Sequence, residues 1–386
     1  MKLGLDLQPH HRVFAAFAMG GVAFGGIFTR VGDIQLAMGV GQAAIGGALI
    51  GTAAGMMFAV TAFSSQLERL GFRNIVLVGP PLMALVTAFA SLAPNPVILF
   101  GCLFVFGVLA GMISPVMNVE ADRTELLMGH RIMNRCHSIY SIGFLATAMI
   151  GATARQFRIG PFSHLLAIAL LLSILTVLTW WRFKPAPPRQ ESSQAKAPLF
   201  AIPTASILLT GLFTMSGMIY EGAAADWSAI YMRDVFVVAP FVGGLALVLS
   251  STAQALTRFY SDQFVDRYGP IKVARVMLLV LGTGAVAITA SPLWFIALIG
   301  FALTGAGNAV IVPLAVSAAA ARTDRPAAIN VASLTQLSWI AFFAGPPLIG
   351  MVAQHVHVRM TFGAALPLIA VSFVLAHAVL HEKPVA

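Results

Sequence analysis

Ionisable side chains are concentrated between residues 116 and 143, in the segment VMNVEADRTELLMGHRIMNRCHSIYSIG. His137 and Tyr140 stand three residues apart there and therefore share a helix face. A histidine in this position could gain and lose a proton near neutral pH, with Glu120 as its partner. The alternative is a structural polar contact between two helices, to which Asn118 would add a neutral hydrogen-bonding group. The other charges of the segment favour a solvated connection between those helices.

Further polar side chains stand inside or at the edges of apolar runs. Arg30 and Asp33 are three residues apart in FTRVGDI. Glu221 is the acid at the end of the apolar run that precedes GAAADW. An acid in such a place is costly unless it is paired or protonated, so Glu221 is the leading candidate for binding a proton. Later candidates for contact with a solute are Asp226, Trp227, Asn308, Gln336 and Trp339.

The sequence shows no constellation typical of an enzyme. It has no Ser/His/Asp order with a nucleophile elbow, no phosphate-binding loop and no HExxH motif. Cys102 and Cys136 do not have the spacing of metal ligands. We therefore expect no enzymatic activity, no cofactor and no metal site.

Composition predicts the elements that position these residues. Hydrophobic residues make up 59% and charged residues 10% of the 386 residues, whereas soluble domains carry about 25% charged residues. Apolar runs of about 20 residues can cross a bilayer as helices. The expected spans are 12–31, 42–63, 74–93, 97–117, 137–156, 162–183, 200–221, 240–257, 272–290, 292–316, 327–353 and 359–381. The sequence thus predicts an all-α integral membrane protein with twelve transmembrane helices.

Basic residues are distributed unevenly over the predicted loops. If the N-terminus is cytoplasmic, most of the 23 Lys and Arg residues fall on cytoplasmic segments, in agreement with the positive-inside rule. Both termini are then cytoplasmic. This topology explains the net charge of +9 without a nucleic-acid partner.

The two halves of the chain repeat each other at an offset of about 198 residues. LERLGFRN (67–74) matches VDRYGPIK (265–272) in its acid, arginine and glycine, and Arg123 matches Arg322 approximately. A polar, proline-rich segment divides the halves. We expect two pseudosymmetric six-helix bundles, residues 1–183 and 200–386, joined by a cytoplasmic linker, residues 184–199.

Twelve spans, a central linker and an acid-Arg-x-Gly loop in each half resemble the major facilitator superfamily. Its loop consensus is Gly-x-Leu-Ala-Asp-Arg-x-Gly-Arg-Arg/Lys. The first copy here has Glu68 in place of the aspartate and Ser64 in place of the glycine, and the second has Asp262 in place of the glycine.

A second resemblance covers most of the chain. NVE (118–120), HSIYSIG (137–143), EGAAADW (221–227), TRFYSDQFVDRY (257–268) and AGPPLIG (344–350) are similar to segments of the YbjJ-type inner-membrane transporters, relatives of the fucose permeases. Fucose permeases commonly carry a protonatable acid four residues before the span-four asparagine. That position is Ser114 here, so their coupling mechanism does not transfer.

The resemblance implies that spans one, four, seven and ten line a central cavity. Arg30 could pair with Asp226 or Glu221 as an outer gate, or could extend its side chain to the lipid interface. Trp227 could contact the solute or anchor the helix at the interface. Asn308, Gln336 and Trp339 could bind a polar solute or hold helices together. Prolines predict kinks that let a cavity change shape: Pro313, Pro346 and Pro347.

The cytoplasmic loop motifs predict a conformational gate. Charge-assisted hydrogen bonds there would hold the bundles closed on the inside and break when the carrier opens inward. The expected gate residues are Glu68, Arg69, Arg258, Asp266 and Arg267.

The leading hypothesis is a monomeric secondary transporter of the bacterial inner membrane. It would move a small polar, sugar-like solute by alternating access, coupled to protons. A drug or metabolite efflux carrier, a non-transporting membrane sensor and a lipid-handling protein remain alternatives.

Overall fold

The computed structural model describes residues 8–63, 71–129, 132–181 and 202–380. These residues form helices and turns, and no strand occurs among them. The α-helices are α1 Pro9–Gly25, α2 Val31–Met38, α3 Gln42–Phe63, α4 Phe72–Ala90, α5 Pro96–Met128, α6 Met133–Gln156, α7 Pro161–Trp180, α8 Ala205–Phe236, α9 Pro240–Tyr268, α10 Pro270–Ala290, α11 Trp294–Asn308, α12 Ile311–Ala321, α13 Ala327–His355, α14 Met360–Gly363 and α15 Leu366–Val374. Short 3-10 helices at Phe28–Arg30 and Leu375–Val379 complete the first and last spans.

Twelve helical stretches of the described chain are long and apolar enough to cross a membrane, which confirms the predicted number. Three of these stretches are interrupted. The first, His10–Met38, breaks between α1 and α2; the tenth, Trp294–Ala321, breaks between α11 and α12; the twelfth, Met360–Val379, breaks after α14. Interruptions within a span matter because they free backbone groups that must be satisfied by other protein groups or by water.

Some helices extend well beyond their expected ends. The predicted spans 97–117, 200–221 and 240–257 correspond to α5, α8 and α9, which end 11, 15 and 11 residues later (128 − 117, 236 − 221, 268 − 257). The helices are longer than the expected spans because charge marks the edge of a membrane, whereas a helix continues until its backbone is stopped. Gly129, with φ of 69°, stops α5 in the left-handed conformation that glycine adopts most easily.

The chain divides into two compact units, residues 1–194 and 195–386. The expected linker, residues 184–199, lies outside the described residues, so the predicted domain boundaries stay a prediction. Each unit contains six of the twelve spans.

The units share details of backbone geometry at the offset found in the sequence. Gly71 and Gly269 (269 − 71 = 198) both have positive φ, 73° and 81°, and each is the N-cap of the helix that follows the loop motif. Gly107 and Gly305 repeat at the same offset. A Cβ on Gly107 would lie 2.1 Å from the carbonyl oxygen of Thr52, and one on Gly305 would lie 1.9 Å from that of Ser250.

In unit 2, α8 packs against α9, α11, α12, α13 and α15. Two buried tyrosines fix it through hydrogen bonds to backbone carbonyls. Tyr220 donates to Phe362 and Tyr231 donates to Ile288. The helix that carries Glu221 is therefore held on two sides by its neighbours.

Candidate functional site

The centre of unit 2 brings together two of the predicted residues. Nδ2 of Asn308 donates a hydrogen bond to Oε2 of Glu221 over 3.1 Å. Glu221 lies near the middle of α8 and is exposed, whereas Asn308 is the last residue of α11 and is buried. Charged side chains within spans face protein or water rather than lipid. The exposed carboxylate of Glu221 therefore indicates a face of α8 that borders water.

Gly217 makes room for this pair. It lies one turn before Glu221 on the same face of α8, and a Cβ at Gly217 would be 2.3 Å from Oδ1 of Asn308. This oxygen is buried and has no hydrogen-bond partner in the described structure. A side chain at position 217 would therefore displace the amide from Glu221.

The helix break beside Asn308 has an identifiable cause. Pro313, in the first turn of α12, has no N–H to donate to the carbonyl of Ala309, four residues before it. Nε of Arg258 donates to that carbonyl oxygen over 3.2 Å. The proline thus explains the interruption that the sequence predicted as a kink, and Arg258 satisfies the carbonyl it frees.

Arg258 lies within a helix and not at its end. The sequence predicts it in a cytoplasmic segment just after span eight, and that position stays a prediction. α9 continues for ten residues beyond it (268 − 258 = 10), about 15 Å of helix, because the polar residues after Leu256 continue the helix instead of ending it. The hydrogen bond of Arg258 reaches Ala309 at the break in span ten.

Sequence reasoning missed Gln254, one turn before Arg258 on the same face of α9. Its Nε2 atom is buried and has no hydrogen-bond partner among the described residues. The available signal was a stripe at four-residue spacing along α9: Ser250, Gln254, Arg258 and Asp262.

Asp226 lines a cavity of about 30 Å³ within unit 2. The other lining residues are uncharged and come from α8 and α13, among them Phe342 and Pro346. No hydrogen bond or ion pair joins the Asp226 carboxylate to the described part of the unit. This acid was expected beyond the end of span seven but lies within α8.

Trp227 is neither an interfacial anchor nor an accessible contact for a solute. Its side chain is 1% exposed, and its indole nitrogen is buried without a partner in the described structure. Both expected roles fail because α8 continues to Phe236 and carries the indole into the packed core of the unit.

Two neutral candidates lie on α13. Gln336 and Trp339 are partly exposed and three residues apart, so they share a face of the helix. The Trp339 ring lies 6.1 Å from that of Phe342, which also lines the Asp226 cavity. Their predicted role in binding a solute stays a prediction.

A second polar cluster lies in unit 1, where span one is interrupted. Arg30 donates from Nη1 to Oδ2 of Asp33 over 3.0 Å and from Nε to Nδ1 of His164 over 3.3 Å. Nε of Arg155 donates to the other oxygen of Asp33 over 2.9 Å. The Asp33 carboxylate thus bridges the guanidinium groups of Arg30 and Arg155 and links α2 to α6. His164 links the interruption of span one to α7.

The expectation that Arg30 extends to the lipid interface is wrong, because its side chain is 1% exposed inside the bundle. The predicted pairing with Asp226 or Glu221 joins residues of different units and stays a prediction. Sequence reasoning missed Arg155 and His164, which stand far from Arg30 in the chain. An arginine and a histidine at the ends of apolar runs were the only signal.

The opening segment is largely helical. Glu120 is 1% exposed, with Oε2 4.0 Å from Nη1 of Arg123, and Arg123 lies on α5 rather than in the expected connection. Oδ1 of Asn118 is buried without a hydrogen-bond partner in the described chain. The predicted pairing of Glu120 with His137 stays a prediction.

His137 and Tyr140 lie on α6. The His137 ring is exposed and meets the Phe17 ring edge to face at 5.4 Å. The backbone of Tyr140 packs against α1, since a Cβ on Gly21 would lie 2.1 Å from its carbonyl oxygen. This part of α6 is thus fixed tightly to span one.

The loop motif of unit 2 is exposed. Asp266 and Arg267 lie in the last turn of α9, and the Arg267 guanidinium lies 5.3 Å from the Tyr268 ring centre. Glu68 and Arg69 of the first motif lie outside the described residues. The gate predicted from these four residues and Arg258 stays a prediction. No group of acids, histidines and cysteines that could hold a metal occurs in the described part of the chain.

The family model of the Major Facilitator Superfamily matches residues 207–386. Uncharacterized transporter y4wD of Sinorhizobium fredii is 28% identical over 361 residues, covering 92% of this chain and 94% of that protein. Membrane protein MosC of Rhizobium meliloti is 26% identical, covering 88% of this chain and 82% of that protein.

Solved structures show the fold. The crystal structure of nucleoside transporter NupG matches with a TM-score of 0.77 at 13% identity, over 97% of this chain and 98% of that one. The crystal structure of a D-xylose-proton symporter matches with a TM-score of 0.70 at 11% identity, over 98% of both chains. The described chain therefore has the twelve-helix fold of these transporters.

Proposed function

We propose that this chain is a secondary active transporter. It has the fold of transporters of the major facilitator superfamily, and its relative y4wD is a transporter. This chain moves a small polar, sugar-like solute by alternating access, and a proton accompanies the solute. It works as a monomer in the bacterial inner membrane, with both termini in the cytoplasm. The expected bundles, residues 1–183 and 200–386, are its two moving parts.

The observation that carries this proposal is the interruption of span ten beside a polar pair. α11 ends at Asn308, which donates to Glu221 in the middle of span seven. Irregular backbone at membrane depth is tolerated where protein buries it or where it borders water. Discontinuous helices with polar groups at the break are the arrangement that transporters use to bind solutes and ions.

Two acids of α8 are available for proton coupling. Glu221 can hold or release a proton while one of its oxygens accepts from Asn308. Asp226 has no partner in the described part of its unit, so a proton would remove the cost of its charge within the span. We assign coupling to Glu221 because its side chain is exposed, whereas Asp226 faces a small apolar cavity.

Three observations support a sugar-like solute: the polar groups of unit 2, the sequence resemblance to other transporters and the shared fold. Asn308, Gln336 and Trp339 offer amide groups and an aromatic face. The segments resembling the fucose-permease relatives, and the fold shared with a nucleoside transporter and a xylose symporter, support the same class.

A conformational gate at the loop motifs would complete the cycle. Hydrogen bonds formed by Asp266 and Arg267, with Glu68 and Arg69 of the first motif, would hold one state closed. Their loss in the other state would let a two-state equilibrium respond to the solute.

The proposal is tested with purified protein in proteoliposomes. An inside-alkaline pH gradient should drive accumulation of a labelled sugar or polyol from a screened panel, and a protonophore should abolish it. Protein-free liposomes are the control. Accumulation that ignores the protonophore would remove proton coupling, and an absence of flux for every polar solute, with flux of apolar drugs instead, would favour the efflux alternative.

A further inference from the structure

We propose that Arg258 and Gln254 bind an acidic group of the transported solute, so that the substrate class is a carboxylate-bearing polar solute such as a sugar acid. This inference rests on the proposed transport function and adds the chemistry that selects the substrate.

Arg258 is a cation held against a broken helix. Its Nε donates to the carbonyl oxygen of Ala309 at the break in span ten, and its side chain is nevertheless exposed. Charged groups that contact a spanning helix face protein or water instead of lipid. The hydrogen bond to Ala309 therefore keeps an exposed guanidinium group beside the break.

Arg258 has no acidic partner in the described part of its unit. Other arginines of the chain do have one: Arg30 and Arg155 share Asp33, and Arg322 contacts Asp324. The hydrogen bond from Nε to Ala309 fixes the plane of the Arg258 guanidinium and leaves both terminal nitrogens available. Two parallel N–H groups of a fixed guanidinium match the two oxygens of a carboxylate.

Gln254 supplies an independent sign of a ligand. Its Nε2 is a buried donor with no acceptor in the described structure, and it lies one turn from Arg258 on the same face of α9. Buried donors are nearly always satisfied, so this one calls for an acceptor. A carboxylate that reached both side chains would accept from both.

The hydrogen-bonded pair of Glu221 and Asn308 indicates which other groups the substrate carries. Asn308 precedes Ala309, so the Glu221–Asn308 hydrogen bond lies next to the carbonyl that holds Arg258. Glu221 is an acceptor suited to hydroxyl groups. A hydroxylated solute with one carboxylate therefore fits these groups better than a neutral sugar, which would leave the Arg258 charge without a partner.

The test uses matched probes that differ in charge: glucose, glucuronate and glucosamine, and the linear set sorbitol, gluconate and glucamine. Purified full-length wild-type protein and R258Q and Q254L variants are compared by thermal shift and by proteoliposome uptake. R233Q is the matched control, because Arg233 is bonded to Asp234, its neighbour in the sequence. Each variant is first checked for a single monodisperse peak, and R258K serves where R258Q does not fold.

We expect the acid probes to bind wild type best, R258Q to weaken them roughly tenfold to hundredfold, Q254L to weaken them several-fold, and R233Q to leave them unchanged. Preference for neutral or amino probes, or unchanged acid binding in R258Q, would overturn the inference. Stabilisation by phosphatidylglycerol and not by any acid probe would assign Arg258 to a lipid headgroup and overturn it too. Uptake of neutral sugars alone would support the transport function and overturn the carboxylate subsite. Arg258-dependent binding of the acid probes without uptake would support the subsite and overturn the transport function.

Discussion

The side-chain amide of Asn308 and the carboxylate of Glu221 are joined by a hydrogen bond of 3.1 Å that links the end of α11 to the middle of α8. The bond couples a helix break to an acid within a span. Local movement of either helix would change the environment of the carboxylate, which is the property that proton-coupled transport requires.

Gly217→Ala is expected to break this link. The new Cβ would lie 2.3 Å from Oδ1 of Asn308 and would force the amide away from Glu221. We expect uptake efficiency to fall about tenfold, since a hydrogen bond to a charged group is lost. Gly282→Ala is the matched control, because its Cβ would make an ordinary contact with Ile369 at 3.7 Å. Equal uptake by the two variants would contradict the role of the pair.

Close helix packing at Gly107 and Gly305 predicts a stability effect in both units. A Cβ at either position would lie about 2 Å from a backbone oxygen, 2.1 Å and 1.9 Å respectively. We expect Gly107→Ala and Gly305→Ala each to lower the free energy of unfolding by about 1–3 kcal/mol.

Gly101→Ala controls for helix propensity, because a Cβ there meets nothing within 4 Å. Its melting temperature should stay level or rise slightly. If all three alanine variants melted at one temperature, the close approach of these helices would be wrong.

Asp33→Asn is expected to destabilise unit 1. Asp33 bridges Arg30, which is 1% exposed, and Arg155, so its loss leaves two guanidinium groups together without their shared carboxylate. Removal of one member of a buried ion pair costs about 3–5 kcal/mol, and partial exposure of Asp33 places this case at the low end. The matched control is Asp234→Asn, whose partner Arg233 is its neighbour at the end of α8.

The measurement is thermal unfolding, with the double variant Asp33→Asn/Arg155→Gln included. The double variant should recover part of the loss, because it removes one of the uncompensated charges. Additive losses in the double variant would show that Asp33 does not couple Arg155 to the break in span one.

The loop between α12 and α13 predicts a pH effect outside the spans. A hydrogen bond from Arg322 lowers the pKa of Asp324 below its ordinary value, and Asn330 contributes a second bond. A carboxyl whose pKa is lower in the folded state stabilises the fold above the unfolded pKa and loses that contribution as the pH falls through the folded pKa.

Wild type and Asp324→Asn should therefore differ in melting temperature at pH 7 and converge in acid. The difference will be small, because the group is exposed. A difference that stays constant from pH 7 to pH 3 would show that ionisation of Asp324 is not its cause.

The sequence predicted the number of spans because apolar runs are a matter of local composition. It predicted the repeat because the two halves share loop motifs such as those at Gly71 and Gly269. It ended α8 and α9 too early and therefore expected Trp227 beyond its helix, because helix ends depend on backbone stops such as Gly269 rather than on charge. The contacts of Arg155 with Asp33 and of His164 with Arg30 could not be predicted, since they span 122 and 134 residues and depend on helix packing.

The most direct test of the central claim compares Glu221→Gln with wild type in proteoliposomes loaded with a transported solute. Glutamine keeps an oxygen that accepts from Asn308 but cannot exchange a proton. We predict that the variant retains solute exchange across the membrane at a rate near that of wild type, yet no longer accumulates solute under an inside-alkaline pH gradient. Accumulation at the wild-type level by this variant would contradict proton coupling at Glu221.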